Sequence, residues 1–153
     1  MELVLWRHAE AEDGVLDMKR ELTDKGRRQA AKVAKWLRPR LEGEWRILAS
    51  PAARARQTAD ALGRDYDVRV TLGPSATEDA LIREADWPRN DGGVIIVGHQ
   101  PTLGRAAARL LTGHHGDLTI KKGAAWWFSG RYDKRAGLSE TLLRAVIGPD
   151  LAE

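Results

Sequence analysis

Apolar positions along the chain fall into two alternating patterns. Three short continuous runs, Leu3-Val4-Leu5-Trp6, Ile47-Leu48-Ala49 and Val94-Ile95-Ile96-Val97, read as strands buried on both faces. Between and after them, apolar residues recur at helical spacing. Ala30, Val33, Ala34 and Leu37 sit at i, i+3, i+4, i+7, with Thr23 as the expected N-cap, Asp24 in the first turn and Pro39 at the end. Ala55, Thr58, Ala59 and Leu62 form a second stripe, and Ser50-Pro51 is expected to cap it. A third helix is predicted over 77–85, with Leu81, Ile82 and Ala85 inward. A fourth carries Leu103, Ala106, Ala107, Leu110 and Leu111 to Gly113. A short half-polar strand is predicted over 67–72. Two more, over 118–128 and 141–147, are expected to be edge or antiparallel members. Strands alternating with helices predict an open α/β sheet. The 153 residues are expected to form a single domain over 1–153.

Three strand-to-helix junctions carry the candidate chemistry. Arg7 and His8 follow the first strand, Arg54 follows the second, and His99 follows the strand ending at Gly98. In open α/β sheets ligands bind at the carboxyl ends of strands. Arg54 falls at a helix N-terminus, where a cation is disfavoured and an anion is favoured. A bound phosphate resolves that conflict. The loop over 9–21 lacks periodicity, and its acidic residues Glu10, Glu12, Asp13 and Asp17 are expected to be solvated.

Composition removes several alternatives. The chain has no cysteine, so disulfides, thiolate metal sites and cysteine-dependent phosphatase chemistry are excluded. His8-Ala9-Glu10 has the H-x-E spacing of zinc deaminases but lacks their P-C-x-x-C half, so no metal is expected. No apolar run approaches the roughly 20 residues that span a bilayer. The start shows no signal-peptide pattern, and no membrane partner and a cytoplasmic location are expected. The net charge is only +3, and Lys32, Lys35, Trp36, Arg38, Arg40, Trp45 and Arg46 read as a basic helix face beside core tryptophans. No nucleic-acid signature accompanies them, so no nucleic-acid partner is expected. His114-His115 is expected on an exposed turn.

Arg7-His8-Ala9, Ser50-Pro51-x-x-Arg54-Ala55-x-Gln57-Thr58 and Gly98-His99-x-Pro101, in this order, resemble the histidine phosphatase superfamily (phosphoglycerate mutase-like, branch 1). The superfamily's Arg-His-Gly is here Arg7-His8-Ala9. Glu21-Leu22-Thr23-x-x-Gly26, the His99 segment running on to Leu111-Thr112-Gly113, and Lys122-Gly123-Ala124 look most like the small SixA-type phosphohistidine phosphatases. The resemblance implies a three-layer α/β/α sandwich with a mostly parallel central sheet. It implies His8 as the nucleophile and Arg7, Arg54 and His99 as phosphate ligands, with no cofactor. The implied partner is a phosphorylated protein bearing phosphohistidine, and the oligomeric state is left open. The residue types suit the task, because metal-free phosphoryl transfer needs positive donors around three oxygens and an in-line nucleophile. Ester-cleaving members place a glutamate after the third strand. That place falls near Ser75, with Glu78 and Asp79 close behind. The alternatives are a phosphatase for a small phosphate monoester and a phosphate-binding module with little turnover.

Overall fold

The computed structural model describes residues 1–152, so Glu153, the last residue of the expected domain, lies outside the described residues. Its strands are β1 (Glu2–Arg7), β2 (Trp45–Ala49), β3 (Asp67–Val68), β4 (Gly93–Gly98), β5 (Ala125–Asp133) and β6 (Gly137–Ile147). They form one sheet in the order β3-β2-β4-β1-β5-β6. The four strands β1 to β4 run parallel, β5 pairs antiparallel with β1, and β6 pairs antiparallel with β5 at the edge. The helices are α1 (Asp24–Leu37), α2 (Ala53–Asp60), α3 (Glu78–Glu84) and α4 (Thr102–Thr112).

Strand alternation sorts the core into two layers. Val4, Trp6, Ile47, Ala49, Ile95 and Val97 pack against the stripes of α1 and α2. Leu3, Leu5, Leu48, Val94 and Ile96 pack against Leu81 of α3 and Leu103, Ala106 and Ala107 of α4. A strand with both faces covered must be apolar throughout, which is why β1 and β4 read as unbroken runs. The result is the expected three-layer α/β/α sandwich.

Two glycines fix loops that matter below. Gly26 in the first turn of α1 passes so close to the loop after β1 that a Cβ would lie 2.0 Å from the Glu10 carbonyl oxygen. Gly123 adopts φ +76, where a side chain is strained, and its N–H reaches the carbonyls of both Arg7 and His8 at 3.1 Å.

Several elements differ from expectation. The predicted strand over 67–72 pairs only at Asp67–Val68 and then turns into a 3-10 helix over Val70–Leu72. Only Leu72 of that stretch is buried, so little apolar surface holds it extended against β2. β5 begins at Ala125, because residues 118–123 instead form a loop whose carbonyls hold Gln100 and Arg7. α2 begins at Ala53, so Ser50 does not cap it. The Ser50 hydroxyl accepts from the Ala52 N–H at 3.2 Å and remains outside the helix. Leu111, expected inward, is 38% exposed. As expected, Trp36 and Trp45 lie beside a core tryptophan, each packing edge-on against Trp127.

Candidate active site

Backbone register brings the three junctions together. Arg7 pairs with Gly98, the His8 N–H donates to the Gly98 carbonyl at 3.0 Å, and the Ser50 N–H donates to the Val97 carbonyl at 3.0 Å. The ends of β1, β4 and β2 are therefore stitched side by side. His8 and His99 emerge with ring centroids 5.1 Å apart. Both are buried, at 8% and 4% exposure, as is Arg54 at 4%.

The tautomer of His8 follows from its partner. Nδ1 lies 2.8 Å from the Ala9 carbonyl oxygen. A carbonyl can only accept, so Nδ1 carries the proton and Nε2 keeps its lone pair. Burial, then the charges of Arg54, Arg7 and Arg20, push the His8 pKa down to about 4 against the opposing bond to Ala9. Burial, then His8 and Arg54, push His99 down to about 3, with Asp17 pulling the other way. Both rings are neutral at pH 7. His99 Nε2 lies 2.7 Å from the Ser50 hydroxyl.

The arginines are held by part of their fork only. Arg7 donates one N–H to the Ile120 carbonyl at 2.9 Å. Arg54 donates to the Asp17 carbonyl at 2.8 Å and to the Asp17 carboxylate at 3.1 Å. The Nε of each is buried with no hydrogen-bond partner. Buried charged donors without partners are costly, and their position beside two neutral imidazoles makes the cluster a receptor for an oxyanion. A neutral imidazole with a free lone pair, set among such donors, can attack phosphorus.

All four residues read from the sequence, Arg7, His8, Arg54 and His99, meet here. Others were not legible. Asp17 was expected to be a solvated acid of the loop. Instead Asp17 clasps Arg54, and Arg20 braces it from the carboxylate at 3.1 Å and the Glu12 carbonyl at 2.7 Å. Hydrogen bonding to Arg20 and Arg54 holds the Asp17 carboxyl below its usual range. Glu10 is likewise engaged, accepting from the Thr23 hydroxyl at 2.9 Å. Thr58 accepts from the Ala9 N–H and donates to the Arg54 carbonyl, tying β1 to α2. Gln57 and Gln29 hold the backbone at Leu22 and Glu10. A polar loop without periodicity gives no sequence signal for such contacts. Glu78 pairs with His115 at 3.3 Å, on a histidine 81% exposed, and Asp79 pairs with Arg109 at 2.9 Å. Among the described residues, no three His, Cys, Asp or Glu side chains gather as a metal site. No helix among them is long and apolar enough to cross a membrane.

The chain is similar to known proteins in sequence and in fold. An uncharacterized protein of Picosynechococcus sp. is 37% identical over 138 residues, covering 80% of this chain and 81% of that protein. The phosphohistidine phosphatase SixA of Escherichia coli K12 is 28% identical over 122 residues, covering 74% and 76% of the two chains. The structure of the protein histidine phosphatase SixA complexed with tungstate superposes with a TM-score of 0.81 at 23% identity, covering 98% of both chains. Residues 3–92 match the histidine phosphatase superfamily (branch 1). The chain belongs to that superfamily, and it is a phosphatase of the SixA-like kind.

Proposed function

We propose that this phosphatase removes phosphoryl groups from phosphohistidine on a protein, through a phosphohistidine intermediate on its own His8. The carrying observation is the His8 tautomer, because the Ala9 carbonyl accepts the Nδ1–H bond and leaves the Nε2 lone pair among cationic donors. His8 Nε2 attacks phosphorus, the bond to the substrate's nitrogen breaks, and water then hydrolyses the phosphorylated His8. Arg7 and Arg54, each with part of its guanidinium left unpaired, hold phosphoryl oxygens, and His99 serves a further one. The neutral nucleophile and the two fixed guanidinium charges supply the chemistry without a metal. A related protein holds tungstate, a tetrahedral oxyanion shaped like phosphate.

Two observations favour a protein over a small ester. The two carboxylates nearest the expected general-acid position, Glu78 and Asp79, are engaged, Glu78 with the His115 ring in the turn after α4 and Asp79 in an ion pair with Arg109 of α4. A nitrogen leaving group can depart neutral, whereas an alkoxide needs an acid. Beside the site, Val15, Leu16 and Met18 are exposed at 101%, 62% and 41%, on the loop that Asp17 ties to Arg54. Exposed apolar side chains at the mouth of a site suit contact with a folded substrate.

The test is a panel of phosphohistidine protein, aryl phosphate and sugar phosphates, run with and without a chelator. Fast turnover of the first two, unaffected by chelation, is expected. Equal turnover of sugar phosphates, lost in Glu78→Gln, would make the small-ester reading correct. Absence of turnover on all three would leave a binding module.

A further inference from the structure

Asp17 is an anion placed beside an anion site. Its carbonyl and carboxylate both grip Arg54, at 2.8 Å and 3.1 Å, while Arg20 holds the other carboxylate oxygen at 3.1 Å. The Arg54 side chain is only 5% exposed, but that of Asp17 is 54% exposed. The carboxylate thus sits at the rim of the site. Its charge also reaches His99, whose pKa it raises against the prevailing trend. Orienting Arg54 does not require this charge, since the Asp17 backbone carbonyl already makes the shorter bond. Arg54 and Arg20 each donate one bond to this carboxylate, and a carboxylate with two oxygens keeps further lone pairs on its exposed side, which suit a cationic N–H donor on the substrate.

Phosphohistidine supplies one. With phosphorus on one ring nitrogen, the other can carry a proton, and the ring is then cationic. We infer that, granted the phosphohistidine reading, Asp17 is the specificity-determining residue, its exposed carboxylate accepting the N–H of the substrate's phosphorylated imidazole.

The bookkeeping of the step is simple. His8 Nε2 forms the bond to phosphorus as the substrate's P–N bond breaks. The electron pair returns to that ring nitrogen, and the imidazole leaves neutral, still carrying the N–H that Asp17 holds. No proton moves in the transfer, so no carboxylic acid over the leaving atom is needed. An ester meets the opposite field. Its leaving oxygen gains negative charge beside the carboxylate and is disfavoured. One side chain therefore selects for a leaving imidazole and against a leaving oxygen.

The test compares kcat/KM for a phosphohistidine-bearing protein with that for p-nitrophenyl phosphate in the wild type, Asp17→Ala and Asp17→Asn. In Asp17→Ala both reactions lose the carboxylate's brace on Arg54, but only the phosphohistidine reaction also loses its N–H acceptor, so the ratio of the two should fall by tenfold or more. Asp17→Asn keeps an acceptor oxygen without the charge and should fall between, and it serves if the alanine variant folds poorly. A ratio within threefold of wild type in both variants overturns the inference. Asp17 would then only orient Arg54, and both substrates would suffer alike. The proposed function fails on different data, namely a wild type without preference for phosphohistidine. Asp17 is judged by the change in ratio alone.

Discussion

The two ends of the sheet use arginine beside aromatic or imidazole rings in opposite ways. At the amino end, Trp36, Trp45 and Trp127 meet edge to face, at 6.3 Å and 5.4 Å, around a cavity of about 560 Å³. Arg40 lies 4.2 Å over Trp36 and donates to its carbonyl, and Arg144 lies 5.2 Å over Trp127 and pairs with Glu2. These cations are half in water and have partners. At the carboxyl end, Arg7 and Arg54 each keep a buried Nε–H with no partner, and the rings beside them are two depressed histidines. Stacked arginines with partners need nothing more. Buried donors without partners persist in a fold when something else uses them. The proposed site lies at the end where two buried guanidinium groups are left incompletely paired.

The largest contrast is expected from His8→Ala. Loss of the nucleophile removes the covalent path entirely, so turnover of phosphohistidine should fall to background. No substitution in the tryptophan cluster should approach that. Arg54→Ala comes next. Loss of one preorganised charge-stabilising donor is typically worth about 10²–10³ in kcat, about 2.7–4 kcal/mol. Steady-state kinetics on aryl phosphate reads this directly. Millimolar tungstate should raise the melting temperature of the wild type and leave that of this variant unchanged.

Acid should find the same end of the molecule. His8 and His99 have folded pKa values of about 4 and 3, below the ordinary 6.5. The unfolded chain binds protons first, so their contribution to stability is full above about pH 6.5 and is lost as pH falls toward 4. Urea unfolding at pH 7 and pH 4.5 should show lower stability at the acid point. A His99→Asn variant should show a smaller drop. Nuclear magnetic resonance of the histidine rings should find both His8 and His99 neutral at pH 6.

The smallest effect is expected from Arg144→Ala. Its ion pair is half exposed, and such pairs are typically worth about 0.2–1 kcal/mol. Activity should be unchanged. Trp127→Ala should cost more stability, on the order of 3–5 kcal/mol for a buried large aromatic, yet leave kcat intact in the folded protein.

Most of the fold and the centre of the site were legible because both depend on short-range patterns. Unbroken apolar runs gave β1 and β4, helical stripes gave α1 and α4, and the residues after strand ends gave Arg7, His8, Arg54 and His99. What was missed depends on long-range contact. Ser50 reads as a cap, but the strand register sets its hydroxyl against His99, 49 positions away. Asp17 reads as a solvated acid, and only the return of its loop onto α2, 37 residues on, makes it a partner of Arg54. The segment 118–123 has enough apolar residues for a strand, yet its carbonyls are needed by Arg7 and Gln100. Neither periodicity nor propensity encodes those demands.

The central claim is that phosphorus passes through His8 Nε2. Rapid quench of the wild type with labelled phosphohistidine protein, followed by peptide mapping, tests it most directly. The account predicts label on His8, acid-labile and alkali-stable, absent in His8→Ala and present in Arg144→Ala. Label on another residue, or turnover persisting in His8→Ala, would contradict it.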